Sequence, residues 1–128
     1  MPIELQLLVW AALLTLVQML VAVAGAQSQV PLPVLAGNRD RMPALTGWAL
    51  RAQRAHINML ESLVVFAILV LVAQATGRLS LTTALGANLF FWGRLAYALI
   101  YVVGVPWLRT LVWAISFGGL LVILSELL

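Results

Sequence analysis

The sequence predicts an all-α integral membrane fold, a four-transmembrane-helix bundle in a single domain. Three observations carry that prediction. The 128 residues are 64% hydrophobic and only 9% charged, against roughly 25% charged in an ordinary soluble domain. The mean hydropathy is +1.10. The apolar residues also fall in long unbroken runs that can cross ~30 Å of hydrocarbon as helices, not in the one-faced or alternating patterns of a soluble core.

The first run extends from Ile3 to about Ala26. Ala24-Gly25-Ala26 imitates a signal-peptide cleavage site, but the residues ahead of the run carry Glu4 and no Lys or Arg. A signal peptide has a basic leading region, so an uncleaved helix is expected. Residues 27–46 hold Pro31, Pro33, Gly37 and Pro43 around Asn38-Arg39-Asp40-Arg41, the composition of a polar, turn-rich loop. A second helix is expected over about 46–76, with Thr46 as its N-cap. At ~1.5 Å per residue it would be ~45 Å long, so its first turns project beyond the membrane. Gly77-Arg78 makes a short turn, and the third helix runs from about Leu81 to Val103. Gly104-Val105-Pro106 ends it, and the fourth runs from about Trp107 to the C-terminus.

Loops one and three lie on the same side of such a bundle. That side carries Arg39, Arg41, Arg51 and Arg109, and the opposite turn carries only Arg78. The positive-inside rule places the Arg-rich side in the cytoplasm and both termini outside. Trp10, Trp48, Trp92, Trp107 and Trp113 read as interface or lipid-facing aromatics.

Composition excludes several chemistries. Cys is absent, so no disulfide, thiolate metal site or cysteine nucleophile exists, and any thiol must come from a substrate. A lone His56 argues against a His-based metal centre. The seven basic residues are all Arg and lie scattered around the apolar runs. No nucleic-acid-binding motif accompanies them, so membrane lipid, not nucleic acid, is the expected partner.

The informative polar residues are periodic. Arg51, Arg54, Asn58 and Glu61 follow in steps of three, four and three, which puts them on one face of the second helix. Arg94, Tyr97 and Tyr101 repeat the pattern on the third, and Arg109 lies in the first turn of the fourth. The topology gathers all of these toward the cytoplasmic side, with the Arg39-Asp40-Arg41 loop. Intramembrane ionisable groups normally face a protein interior and serve function. Arg94 and Glu61 would also suit a buried ion pair, with Asn58 and the tyrosines bonding across helices. Several arginines against one carboxylate still leave positive charge for an anion to balance. Guanidinium forks bind carboxylates or phosphates bidentately, and Glu61 suits an ammonium, so a small polar anionic ligand is expected. Arg39 and Arg51, nearest the interface, can also snorkel.

His56 lies about 200° around the helix from Arg54 and is read as structural. Gln18, Gln74 and Asn88 are expected to bond between helices, and Gly118-Gly119 to mark close packing. One four-helix chain hardly encloses so polar a stripe, which predicts an oligomer with sites between subunits.

Arg54-Ala55-His56-Ile57-Asn58-Met59-Leu60-Glu61 is similar to the R-A-x-x-N-x-x-E signature of the MAPEG superfamily (membrane-associated proteins in eicosanoid and glutathione metabolism). Gly93-Arg94-Leu95-Ala96-Tyr97 through Tyr101, then Gly104, Pro106 and Arg109, resembles that family's third helix and the start of its fourth. Gly37-Asn38-Arg39-Asp40 and Gly47-Trp48 resemble the bacterial branch, which would place the chain in an inner membrane with periplasmic termini. The resemblance implies a homotrimer with glutathione bound between neighbours on the cytoplasmic side. It implies that Arg54, Asn58, Glu61, Tyr97 and Tyr101 hold glutathione, beside Arg39, Arg51 and Arg94 of the same cationic pocket. Arg109 matches the arginine that faces the sulfur and would be the catalytic group. A guanidinium there favours thiolate over thiol, lowering the ~8.5 pKa of a free thiol. The thiolate would attack a lipophilic electrophile or reduce a lipid hydroperoxide. Trp113 stands where several members have a tyrosine, and Ile57 where some have a further arginine. The expected function is a membrane glutathione transferase or peroxidase. The alternative is a non-catalytic lipid-binding or scaffold protein of the same fold. A channel or transporter ranks last, since no Gly- or Pro-broken membrane helix marks a midplane site.

Overall fold

The computed structural model describes residues 1–38 and 43–128. The described chain forms helices α1 (Ile3–Gln29), α2 (Leu32–Ala36), α3 (Gly47–Ala75), α4 (Leu81–Val103) and α5 (Pro106–Leu127), with no strand among the described residues. Helices α1, α3, α4 and α5 are long and apolar enough to cross a membrane. The chain is an all-α integral membrane protein.

Two local features differ from expectation. Helix α1 continues past Ala26 to Gln29, and the stretch expected as a loop contains α2. Pro31 is the N-cap of α2 and Pro33 lies in its first turn, where a missing N–H breaks no helical hydrogen bond. Leu35 anchors this short helix in a small cluster with Val30 and Leu45. Thr46 occupies the N-cap of α3 but its side chain makes no capping bond. The Gln29 carboxamide brackets its backbone instead, donating to the Thr46 carbonyl at 2.8 Å and accepting from its N–H at 2.9 Å. That clamp fixes where α3 leaves α1.

The main core sits at one end of the bundle. It takes Leu7 and Ala11 from α1, Phe66 and Val70 from α3, Ala87 and Phe90 from α4, and Leu120 and Ile123 from α5. Alternating chain direction brings these helix halves together. The Phe66 and Phe90 rings stack with centroids 4.2 Å apart. At the same end the buried Glu4 accepts a hydrogen bond from Thr83 Oγ1 at 2.8 Å, and Thr83 completes a capping box with Ser80.

Helices α4 and α5 meet backbone to backbone. A Cβ on Gly119 would lie 2.5 Å from the Gly86 carbonyl oxygen and 2.7 Å from the Phe90 nitrogen. One on Gly86 would lie 2.6 Å from Ile123 Cγ1. Small residues at membrane helix interfaces allow this approach, and dispersion contacts supply the attraction that water would otherwise provide. Gly118 meets nothing within 4 Å, so only Gly119 of the expected pair packs closely.

Each end of the bundle has a cation on a helix terminus. Helix α4 stops at Gly104, which is left-handed with φ 96°, a conformation costly for any residue with a Cβ. Arg51 Nε donates to the Val102 carbonyl at 3.0 Å, and at the other end Arg78 Nη1 donates to the Leu127 carbonyl at 3.0 Å. Each guanidinium satisfies a carbonyl in a last helical turn and complements the helix dipole.

The α4–α5 contact generates a paired prediction. Gly119→Val should destabilise the protein by about 1–3 kcal/mol, the usual cost of overpacking, whereas Gly118→Ala should be neutral or slightly stabilising. Thermal unfolding of the purified protein in detergent measures both. Equal effects at the two positions would contradict the packing described.

Candidate functional site

Three adjoining clefts share Asn58. One is lined by Arg54, Asn58, Glu61, Tyr97 and Tyr101. A second is lined by Asn58, Tyr97, Arg109, Thr110 and Trp113. The third, about 410 Å³, contains Asn58, Glu61 and Arg94 and continues into the apolar side chains of Trp113, Phe117, Leu120 and Leu121. Helical periodicity builds the walls. On α3, Arg54, Asn58, Glu61 and Val65 recur at three- and four-residue steps, and on α5 Arg109, Trp113, Phe117 and Leu121 recur at four. The cleft between these faces is polar toward the Arg109 end and apolar beyond Arg94.

Arg94 is the buried member, 3% exposed. Its Nη1 donates to Asn58 Oδ1, and its guanidinium carbon lies 5.0 Å from the Tyr97 ring centroid and 5.8 Å from that of Phe90. Its Nε is buried with no hydrogen-bond partner among the described residues. Cation–π contact offsets part of the desolvation of such a charge. It does not neutralise it. Glu61 supplies no counterion: it is exposed, and it has no hydrogen-bond or ion-pair partner among the described residues. The buried Arg94–Glu61 pair considered from sequence does not form, and Asn58 takes the place of the carboxylate.

Arg109 lies over Tyr101, its guanidinium carbon 4.7 Å from the ring centroid. The Tyr97 and Tyr101 centroids are 5.4 Å apart with the rings tilted 55°, so the two phenols and two guanidiniums form a continuous run of contacts. Arg54 is exposed at the rim of the first cleft.

Seven of the residues singled out from sequence thus come together: Arg54, Asn58, Glu61, Arg94, Tyr97, Tyr101 and Arg109. Arg51 lines none of the three clefts; it is engaged with the Val102 carbonyl. Arg39 lies outside the described residues. His56 lines a different cleft, with Gln53 and Gln27, as its angle on α3 requires. Asn88 bonds within α4, donating to the Ala84 carbonyl and accepting from Trp92 Nε1, rather than between helices.

Trp113 and Phe117 were not singled out as site residues. Their rings stack with centroids 5.3 Å apart, and both line the apolar part of the cleft. The signal was present: they fall four and eight residues after Arg109, on its own helical face.

The MAPEG family model matches residues 5–128, essentially the whole chain. No curated protein and no solved structure matches it.

The Arg94–Asn58 contact predicts a particular double-mutant cycle. Asn58→Leu removes the only side-chain acceptor, among the described residues, of a buried cation and should cost about 1.5–3 kcal/mol. Asn58→Leu combined with Arg94→Met removes the charge as well and should recover much of that loss. Unfolding midpoints of the two singles and the double, in one detergent, decide it. Additive losses would mean that the two groups do not interact.

Proposed function

The chain belongs to the MAPEG family, and on that footing we propose that it binds glutathione at the Asn58 clefts and activates its thiol toward a lipophilic electrophile. Family membership supports a membrane glutathione-related transferase, peroxidase or related function in general. The narrower reading rests on one observation, the charge set of the clefts. Arg54, Arg94 and Arg109 line them together with a single carboxylate, Glu61, and none of the four has an ion-pair partner among the described residues. Glutathione with an ionised thiol is the complement, two carboxylates and a thiolate against three guanidiniums, and one ammonium against Glu61.

Each side chain then has a role. Arg54 and Glu61, at the outer rim, take the charged ends of the γ-glutamyl group. The Oδ1 of Asn58 is occupied by Arg94, which leaves its amide donors for a ligand carbonyl. The Tyr97 and Tyr101 hydroxyls have no partner among the described residues and can donate to a carboxylate. Arg109, in the first turn of α5, adds its charge to the positive end of that helix dipole, and both favour the thiolate. Bound thiolate supplies a nucleophile that forms a sulfur–carbon bond as a leaving group departs, or that takes the terminal oxygen of a hydroperoxide, releasing the alcohol, after which a second thiol displaces that oxygen as water and completes the disulfide. The electrophile reaches it from the bilayer, along the apolar cleft past Trp113 and Phe117.

Arg54 and Glu61 remain exposed beside Ile57, 48% exposed, and Leu60, 41% exposed. Ionised groups among lipid-facing residues are expensive. A homotrimer that covers this face of α3 with a neighbour removes the cost and encloses the ligand. The Arg-rich end then faces the cytoplasm, where glutathione is abundant.

Glutathione should raise the unfolding temperature of the purified protein saturably. Arg54→Ala and Glu61→Ala should each weaken the apparent affinity roughly tenfold or more, the worth of one charge-assisted hydrogen bond. Arg109→Ala should retain binding but lose the thiolate absorbance of the complex. No thermal shift at millimolar glutathione would overturn the proposal in favour of a non-catalytic lipid-binding or scaffold role.

A further inference from the structure

Arg51 belongs to the polar stripe of α3 yet lines none of the Asn58 clefts, so the proposed function leaves it without a part. Its guanidinium reaches across to the end of α4. Nε donates to the Val102 carbonyl at 3.0 Å, a last-turn carbonyl whose helical partner four residues on would be Pro106. Proline has no N–H to give. The same guanidinium lies against Gly104, where a Cβ would sit 3.4 Å from Arg51 Nε and 3.5 Å from its Cζ.

The segment it touches is the whole link between two helices. Only Gly104 and Val105 separate α4 from α5. Their amides both turn back to the Ile100 carbonyl, at 2.9 Å and 3.4 Å, and Val105, the N-cap of α5, makes no side-chain capping bond. Arg51 therefore ties the turn to α3 where the turn's own sequence does not. Arg109 follows directly: its backbone N–H donates to the Val105 carbonyl at 3.2 Å. Its guanidinium carbon is 4.7 Å from the ring centroid of Tyr101, the residue just before Val102. Both members of that contact hang from the backbone that Arg51 holds.

We infer that Arg51 is a positioning residue: by tying the α4–α5 turn to α3, it sets the Arg109 guanidinium over Tyr101. Its effect on a thiolate rests on the proposed glutathione site; its effect on Arg109 does not. The N–H, not the charge, carries the role, since a carbonyl accepts from a neutral donor as well. Gln separates the two. Its Nε2 stands as many bonds from the backbone as Arg Nε, so Arg51→Gln keeps a donor there without the charge. Arg51→Met keeps the length and loses the donor.

Nitrogen-15 NMR of the full chain in detergent reads the first effect without any ligand. The Arg109 side-chain signals, identified by their loss in Arg109→Ala, should carry a ring-current displacement from Tyr101. Arg51→Met should move them to the position of a freely solvated arginine, and Arg51→Gln should leave them in place. The Arg94 signals should stay put in both variants, which separates positioning from a general loosening of the bundle. With glutathione bound, Arg51→Met should raise the pH midpoint of thiolate absorbance by roughly 0.5–1.5 pH units, part of the effect of one neighbouring charge. In an Arg109→Ala background it should raise the midpoint no further. Unmoved Arg109 signals in Arg51→Met would overturn the inference. So would Arg94 signals that move with them, Arg51→Gln behaving like Arg51→Met, or an equal rise in the Arg109→Ala background. Failure of the unaltered protein to bind glutathione would sink the proposed function alone, because the ligand-free spectra still decide the part played by Arg51.

Discussion

A guanidinium inside a membrane helix, held by one carboxamide, sets the terms for the rest of this bundle. Arg94 is almost fully buried with no ion-pair partner among the described residues, and its side-chain bond is to Asn58 on the neighbouring helix α3. Charge at such depth survives only where it is solvated by protein, water or ligand. The Asn58 carboxamide and the faces of Tyr97 and Phe90 supply part of that solvation. The contact consequently does two things: it joins α3 to α4 midway along both helices, and it keeps positive charge next to the cleft proposed to take an anion. Arg54 and Arg109, each without an ion-pair partner among the described residues, extend that charge outward.

The bundle is built unevenly to accommodate this. Its dense end carries the Phe66–Phe90 stack, the Gly86–Gly119 crossing and the buried Glu4–Thr83 hydrogen bond. Its other end is opened by polar clefts and finished by Arg51 on the last turn of α4. Close packing at one end allows the helices to part at the other without losing register, which is where the proposed ligand and electrophile would enter.

Much of this was legible in the sequence, for reasons that are physical. Bilayer thickness demands about twenty apolar residues per span, so the four spans could be read directly. Steps of three and four placed Arg54, Asn58 and Glu61 on one face and Tyr97 and Tyr101 on another. What periodicity does not contain is the rotation of one helix against its neighbour. That rotation, set by packing such as Phe66 against Phe90, gives Arg94 to Asn58 and leaves Glu61 without a partner among the described residues. It also decides that Gly119 meets α4 while Gly118 does not, and that Gln18 Oε1 meets no partner among the described residues. Helix α2 escaped notice because Pro31 and Pro33 signal a loop as readily as a helix start. Asn88 found a closer partner than another helix could offer, in Trp92 one turn along.

The central claim is that the Arg94 charge is retained for a bound anion. Nitrogen-15 NMR of the arginine side chains in detergent, with the Arg94 signal identified by its loss in Arg94→Met, tests it most directly. Saturating glutathione should shift the Arg94 guanidinium resonances and slow their exchange with solvent. If those resonances stay unmoved while glutathione binds, the charge serves only to hold α3 against α4, and the account is wrong at its centre.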